Sequence, residues 1–174
     1  MNLIDGKKTA DKRLKILRKE IDLLKDNNQA LPCLAVILVG DDPASETYVK
    51  SKARQSKNVG IESHTIFLDK NISQEDLIKE INILNEDDSV NGILVQLPLP
   101  KHIDSQVIIN SINPMKDVDG LHVANVGLLS QNHARFVPCT PKGIMTLLDE
   151  YEIDLSGKDA LVIGRCQLVG NPIP

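Results

Sequence analysis

Tyr48 and Lys52 stand four residues apart in a stretch of helical pattern. Four residues make just over one helical turn, so the two side chains share a face. A phenol ring offers a flat stacking surface, and a lysine beside it can carry a proton. The pair closely follows the apolar run Cys33–Val39. In open α/β sheets, ligands bind beyond the C-terminal ends of strands. A Tyr and a Lys on a solvated helix face are also common without any function, and at this point both readings stand. Gln96 interrupts a second apolar run, Ile93-Leu94-Val95-Gln96-Leu97. A buried amide costs free energy unless its donors and acceptors are met. It is either a structural amide bonded to backbone or a polar group facing the same sheet edge as Tyr48 and Lys52. Lys116-Asp117-Val118-Asp119-Gly120 places two acids and a glycine in a loop. Asp119 could cap that turn, or it could accept charge-assisted hydrogen bonds from a ligand's N–H groups. No third ligand stands nearby in the sequence to suggest a metal. In Gly164-Arg165-Cys166-Gln167-Leu168-Val169-Gly170 a glycine turn follows a strand pattern. Such a turn lets backbone approach a phosphate at a helix N-terminus. The glycines are too far apart for the GxGxxG fingerprint.

The elements that must position these residues can be read from pattern. Ala10, Leu14, Leu17, Ile21 and Leu24 recur at three- and four-residue steps and predict a first amphipathic helix. Cys33–Val39 is apolar on both sides of the pleat, as in a parallel strand covered on two faces. A helix is predicted over 45–58, stopped by Gly60, and a second strand over 61–68. Ser73-Gln74-Glu75-Asp76 resembles a capping box and opens a third helix carrying Leu77, Ile81 and Leu84. A third strand is predicted over 92–97, ended by Pro98 and Pro100. Asp104 is expected to cap a short helix through Ile109. Thr140 and Pro141 suggest a cap and a first helical turn, with the helix over 142–151. A last strand is expected over 159–163. Alternating strands and helices imply an α/β fold of three layers with a mostly parallel sheet. The expected organisation is a domain over 1–120, a connection over 121–139, and the start of a Rossmann-like domain over 140–174. A lone strand and turn cannot bury their own apolar surface, so the chain is expected to be a fragment, or an early-terminated version, of a longer protein. The alternative is a tail packed on the first domain.

Bulk properties narrow the classes. The 174 residues are 41% hydrophobic and 25% charged, an ordinary mix for a soluble globular protein. Two Phe, two Tyr and no Trp make the core aliphatic. A net charge of -4 argues against nucleic acid, which asks for a basic face. The three cysteines, Cys33, Cys139 and Cys166, form no CxxC pair, which sets aside a disulfide framework and a cysteine-based zinc site as first readings. The expected compartment is the reducing cytoplasm. The N-terminus has no apolar signal core, and no apolar run is long enough to span a bilayer. His64, His102, His122 and His133 show no ligand spacing and read as ordinary surface or core residues.

Five blocks together resemble one family. They are the segment from Val39-Gly-Asp-Asp-Pro through Tyr48 to Lys52, Gly92-Ile-Leu-Val-Gln96-Leu-Pro-Leu-Pro100, Lys116-Asp-Val-Asp119-Gly120, Pro138-Cys-Thr-Pro-Lys-Gly143 and Val162-Ile-Gly-Arg-Cys-Gln-Leu-Val-Gly170. In this order, spread over nearly the whole chain, they resemble the signature blocks of the bifunctional methylenetetrahydrofolate dehydrogenase/cyclohydrolase family. The resemblance implies a folate-binding domain and a nucleotide-binding domain flanking one cleft. It implies two reactions: hydride transfer from methylenetetrahydrofolate to NADP (or NAD), then hydrolysis of the methenyl product to formyltetrahydrofolate, in one-carbon metabolism and purine biosynthesis. It further implies that Tyr48 stacks on the folate, Lys52 manages protons in hydrolysis, Gln96 orients Lys52, and Asp119 bonds the pterin. Ser45, Leu97 and Pro98 would support the substrate pocket. Gly164, Arg165, Cys166, Val169 and Gly170 would hold the cofactor, and no metal is implied. A lysine serves as a base when a neighbouring cation lowers its pKa, and the methenyl cation would be such a neighbour. Relatives suggest a homodimer. Cys166 stands where the family usually has Ser, which changes the donor offered to a cofactor phosphate. A non-catalytic module that holds folate or pairs with a partner subunit is the competing reading. An unrelated Rossmann-like dehydrogenase is a third.

Overall fold

The structure is a computed structural model that describes residues 3–159 and 161–163. The chain divides into two units, one of residues 17–118 and one of residues 1–16 with 119–174.

The unit of residues 17–118 is built on three parallel strands. β1 is Cys33–Val39, β2 is Glu62–Leu68 and β3 is Gly92–Val95. Their order is β2-β1-β3, so the first strand in sequence is the central one. β1 pairs with β2 from Cys33↔Glu62 to Val39↔Leu68, and with β3 from Leu34↔Gly92 to Ile37↔Val95. The continuous apolar run of β1 follows from this place. Ala35, Val36, Ile37 and Leu38 are almost wholly buried because both faces of the strand are covered. On one face Ala35, Ile37 and Val39 pack with Leu77, Ile81 and Leu84 and with Ile108 and Ile112. On the other, Val36 and Leu38 pack with Val49 and Leu94. The expected three-layer α/β arrangement is therefore present.

The helices follow their signals closely. α1 is Gly6–Asp26 and α2 is Pro43–Val59. Gly60 closes α2 in the left-handed conformation, φ 89°, and its N–H donates to the carbonyls of Lys57 and Ser56. A Cβ at Gly60 would also lie 2.9 Å from Ile21 Cγ2, so helix ending and close packing both ask for glycine there. α3 is Gln74–Glu86, capped by Ser73, whose Oγ accepts from Asp76 N at 3.1 Å. Asp76 returns the interaction by accepting from the Ser73 hydroxyl rather than from its backbone. α4 is Ser105–Ser111, with Asp104 capping as expected.

In the unit of residues 1–16 and 119–174, α5 is Val123–Ser130 and α6 is Cys139–Glu150. α5 is a helix within the stretch read from sequence as a connection. Tyr151 Oη accepts from Asp5 N at 2.7 Å, and Lys12 meets Glu150 at 2.6 Å, tying the start of α1 to the end of α6. Two expectations fail here. Thr140 is not the cap of α6; Pro138 precedes the helix and makes no side-chain cap bond. Pro141 sits inside the first turn, which is tolerated because the first four helical N–H groups have no intrahelical partner. Of the strand expected over 159–163, residue 160 lies outside the described residues, and the others form no strand. Leu161, Val162 and Ile163 are non-strand and exposed, Ile163 to 93%. A strand is held by its ladder, and among the described residues this unit contains no strand to pair with.

β3 lies close against a second segment of the chain. Residues 116–118 run beside it: Ile93 N donates to Lys116 O at 2.7 Å and Ile93 bridges Asp117. A Cβ on Gly92 would lie 2.5 Å from Val118 Cγ1. Gly92→Ala is therefore expected to destabilise the fold by about 1–3 kcal/mol. Val118→Ala in the same chain should recover part of that loss. Urea melts of the two variants check this, and a Gly92→Ala midpoint equal to wild type would refute the close approach.

Candidate functional site

β1 and β3 end at the same edge of the sheet, and the polar groups of the site begin there. Beyond Val39, Gly40 turns with φ 86° and donates to Leu68 O at 2.9 Å. Asp42 then caps α2: its Oδ2 accepts from Ser45 N at 2.7 Å, and Pro43 takes the first helical turn. Ser45 is buried, as is Val49 one turn later, and this stripe seats α2 on the sheet. The adjoining face carries Tyr48 and Lys52. Tyr48 is 64% exposed, so its ring is available to a partner. Lys52 is half-buried.

At the end of β3 the strand stops at Val95, one residue before Gln96. Gln96 is fixed three times. Its backbone N–H donates to Ile37 O at 2.9 Å. Its Nε2 donates to Leu97 O at 2.8 Å. Its Oε1 accepts from Lys52 Nζ at 2.9 Å. One end of the amide thus binds backbone and the other binds the lysine. Binding Nε2 to a carbonyl also settles which end of the amide faces Lys52. The Leu97–Pro98 peptide is cis; Leu97 is half-buried and Pro98 exposed.

The sequence-predicted residues fall into three groups. Lys52 and Gln96 are joined directly, with Tyr48 and Ser45 on the same helix and Leu97 and Pro98 in the chain just after Gln96. Asp119 belongs to the other unit, where it is half-buried beside Gly120. Gly120 has φ 67°, and a Cβ there would lie 3.1 Å from Phe136 O, so this turn requires glycine. Gly164, Arg165, Cys166, Val169 and Gly170 lie outside the described residues.

Two residues gain roles that sequence alone did not assign. Lys116 Nζ donates to the carbonyls of Leu84, Asn85 and Asp87 at 3.0, 2.8 and 2.8 Å. It is the cation at the C-terminal end of α3, where orphan carbonyls collect. Asp42 is the other, holding the first turn of the helix that presents Tyr48 and Lys52. An Asp before Pro in a turn was the available signal for it.

The sequence matches the profile of the tetrahydrofolate dehydrogenase/cyclohydrolase catalytic domain over residues 4–119. The chain belongs to this family. Residues 138–174 match the family's NAD(P)-binding domain. The bifunctional protein FolD of Wolbachia pipientis subsp. Culex pipiens (strain wPip) is 51% identical over 172 residues, covering 98% of this chain and 58% of that protein. The crystal structure of the bifunctional enzyme FolD from Campylobacter jejuni superposes with a TM-score of 0.96 at 52% identity, covering 99% of this chain and 61% of that one. The Trypanosoma brucei enzyme, solved with NADP cofactor and inhibitor, gives a TM-score of 0.94 at 35% identity, covering 99% and 59%. The NAD-dependent dehydrogenase of Saccharomyces cerevisiae gives 0.83 at 26%, covering 97% and 58%. This family member thus spans about three-fifths of the length of the relatives it matches.

Backbone and side-chain hydrogen bonds from Ser45 hold the Asp42 carboxyl below the ordinary aspartate range. Its stabilising effect is therefore fully present above the unfolded-state value and is lost as pH falls through the lowered folded value. Asp42→Ala is expected to lower Tm at neutral pH. The gap from wild type should close in strong acid, where both proteins lack the carboxylate. Thermal melts across that range check it; a gap that stays constant with pH would show that Asp42 acts otherwise.

Proposed function

We propose that this chain supplies the folate site, and the beginning of the nucleotide site, of a bifunctional enzyme that oxidises 5,10-methylenetetrahydrofolate and hydrolyses the product to 10-formyltetrahydrofolate. The observation that carries the reading is the Lys52 Nζ to Gln96 Oε1 hydrogen bond at the strand ends. Membership of the family, and the names of the relatives, support the two reactions. The domain assignment that goes with this reading is a folate domain over 1–120, a connection over 121–139 and the start of an NAD(P)-binding domain over 140–174.

The chemistry asks the protein for few groups. Oxidation leaves a methenyl cation on the folate, and the nicotinamide of NADP, or of NAD, supplies the hydride acceptor when bound. Gly164, Arg165, Cys166, Val169 and Gly170 are the proposed contacts for that cofactor. Tyr48 presents its ring for stacking on the folate's aromatic portion. Asp119 is proposed to accept from the N–H groups of the pterin, with Ser45, Leu97 and Pro98 supporting the pocket. Hydrolysis needs a water delivered to the cationic carbon and a group to take its proton. Lys52 is that group in this reading. Gln96 holds Nζ by one hydrogen bond, leaving the rest of the amine to face substrate. An amide suits this task better than a carboxylate. It positions the lysine without placing a negative charge beside it, so the substrate cation can favour the neutral amine.

No helix among the described residues is long and apolar enough to cross a membrane. A cytoplasmic homodimer feeding formyl groups to purine biosynthesis is the setting we infer from the family resemblance, and sedimentation reads the oligomeric state.

The test uses this sequence joined to the rest of the NAD(P)-binding domain. Lys52→Ala is expected to cut cyclohydrolase turnover by about 10²–10⁴-fold, the usual weight of a general acid–base group. Wild-type hydrolysis by that variant would end the assignment. Gln96→Glu should slow hydrolysis at neutral pH and shift its pH–rate profile to higher pH, because the new carboxylate favours the ammonium. An unshifted profile would make Gln96 structural only. Folate binding with no NADPH formation under saturating substrates would favour the non-catalytic module instead.

A further inference from the structure

Parallel pairing brings a second set of reactive side chains together at the opposite end of the sheet from Lys52 and Gln96. Cys33 opens β1 and is the register partner of Glu62, which opens β2. His64 lies two residues further along β2, opposite Ala35, and so points to the same face as Glu62. The Cys33 Sγ, a Glu62 carboxylate oxygen and a His64 ring nitrogen all lie within 4.8 Å of one another. We propose that Cys33, Glu62 and His64 form a binding site for a divalent transition metal of the Zn²⁺ class, with the fourth position open to water.

The donor set selects that class. Thiolate, imidazole and carboxylate together are the ligands of borderline-soft cations; Mg²⁺ and Ca²⁺ prefer oxygen throughout. The spacing is close to what coordination demands. Metal–ligand bonds of about 2.0–2.3 Å in a tetrahedron put neighbouring donors roughly 3.3–3.8 Å apart. Any contraction to those distances falls to Glu62 and His64, which are exposed and can change rotamer, while Cys33 is held in the core at 4% exposure. A bound metal supplies positive charge beside the Glu62 carboxylate, and the Cys33 thiol releases its proton to solvent as the metal–sulfur bond forms.

The separation of 33 from 62 and 64 hides this set from any spacing rule. It appears only when β1 and β2 are laid side by side in register. Nothing in the proposed folate chemistry uses these residues, so the two sites stand or fall separately.

The test is a titration of the chain with Co²⁺, a probe for Zn²⁺ whose bond to thiolate absorbs in the near ultraviolet. Cys139→Ser and Cys166→Ser in the background leave Cys33 as the one thiol. A single equivalent of Co²⁺ is expected to produce the thiolate band, and Zn²⁺ should displace it. His64→Asn and Glu62→Gln, both at exposed positions, should each weaken binding by about 10-fold or more. Cys33→Ala should abolish the band, with circular dichroism confirming that it folds. No thiolate band at saturating Co²⁺, or an affinity that either exposed variant leaves unchanged, overturns the site.

Discussion

The parallel register of β1 with its two neighbours is the constraint from which the rest follows. β1 is paired along its whole length on one side and over four residues on the other. Because all three strands run the same way, their C-terminal ends arrive together, and so do the N-terminal ends of β1 and β2. Each end then gathers residues that are remote in sequence. At the C-terminal end, Gln96 N bonds to Ile37 O and continues the ladder by one step. That step brings the amide within reach of Lys52 on α2. At the other end the same register sets Cys33 beside Glu62. A slip of one residue would turn every side chain of a strand to the opposite face and dissolve both clusters.

A rigid strand end and an adjustable lysine divide the work of the site. Gln96 has its backbone and both ends of its amide engaged, so it has little freedom left. Lys52 hangs from a helix whose first turn is fixed by Asp42 and whose inner face is fixed by Ser45 and Val49. The hydrogen bond between them joins the two elements without joining opposite charges. A salt bridge there would hold the lysine as an ammonium ion and compete with any proton it has to accept. A neutral amide gives position alone, which is the property the proposed proton transfer would ask of Lys52 if its driving charge arrived with the substrate.

Much of this was legible in the sequence, for physical reasons. The uninterrupted apolar run of β1 can be satisfied only by a strand covered on both faces. The four-residue step from Tyr48 to Lys52 fixes a shared helix face, and the amide inside an apolar run marks the strand end. Other features were illegible because they depend on partners no local pattern names. The three carbonyls bound by Lys116 come from the end of a helix thirty residues earlier. Leu161, Val162 and Ile163 read as strand by their side chains, but a strand exists only with a neighbour to pair with. Thr140 and Pro141 read as a cap and first turn because those residue types favour helix starts, but Pro141 fits equally well deeper in the first turn.

The block Lys116-Asp117-Val118-Asp119-Gly120 shows how one motif can carry unlike duties. Lys116 closes α3, Asp117 pairs beside β3, and Val118 fills the space that the missing side chain of Gly92 leaves. These three serve the sheet. The division between the two units falls immediately after them, and Gly120 makes a turn that no residue with a Cβ fits easily. Substitutions in the first three positions act on the unit that holds Lys52 and Gln96. Those in the last two act on the other unit. The block's spacing is therefore set by two separate packing demands that meet at Val118 and Asp119. Its likeness to a family signature does not by itself make each of its residues part of the chemistry. That role has to be argued for Asp119 alone, from what its carboxylate can bind.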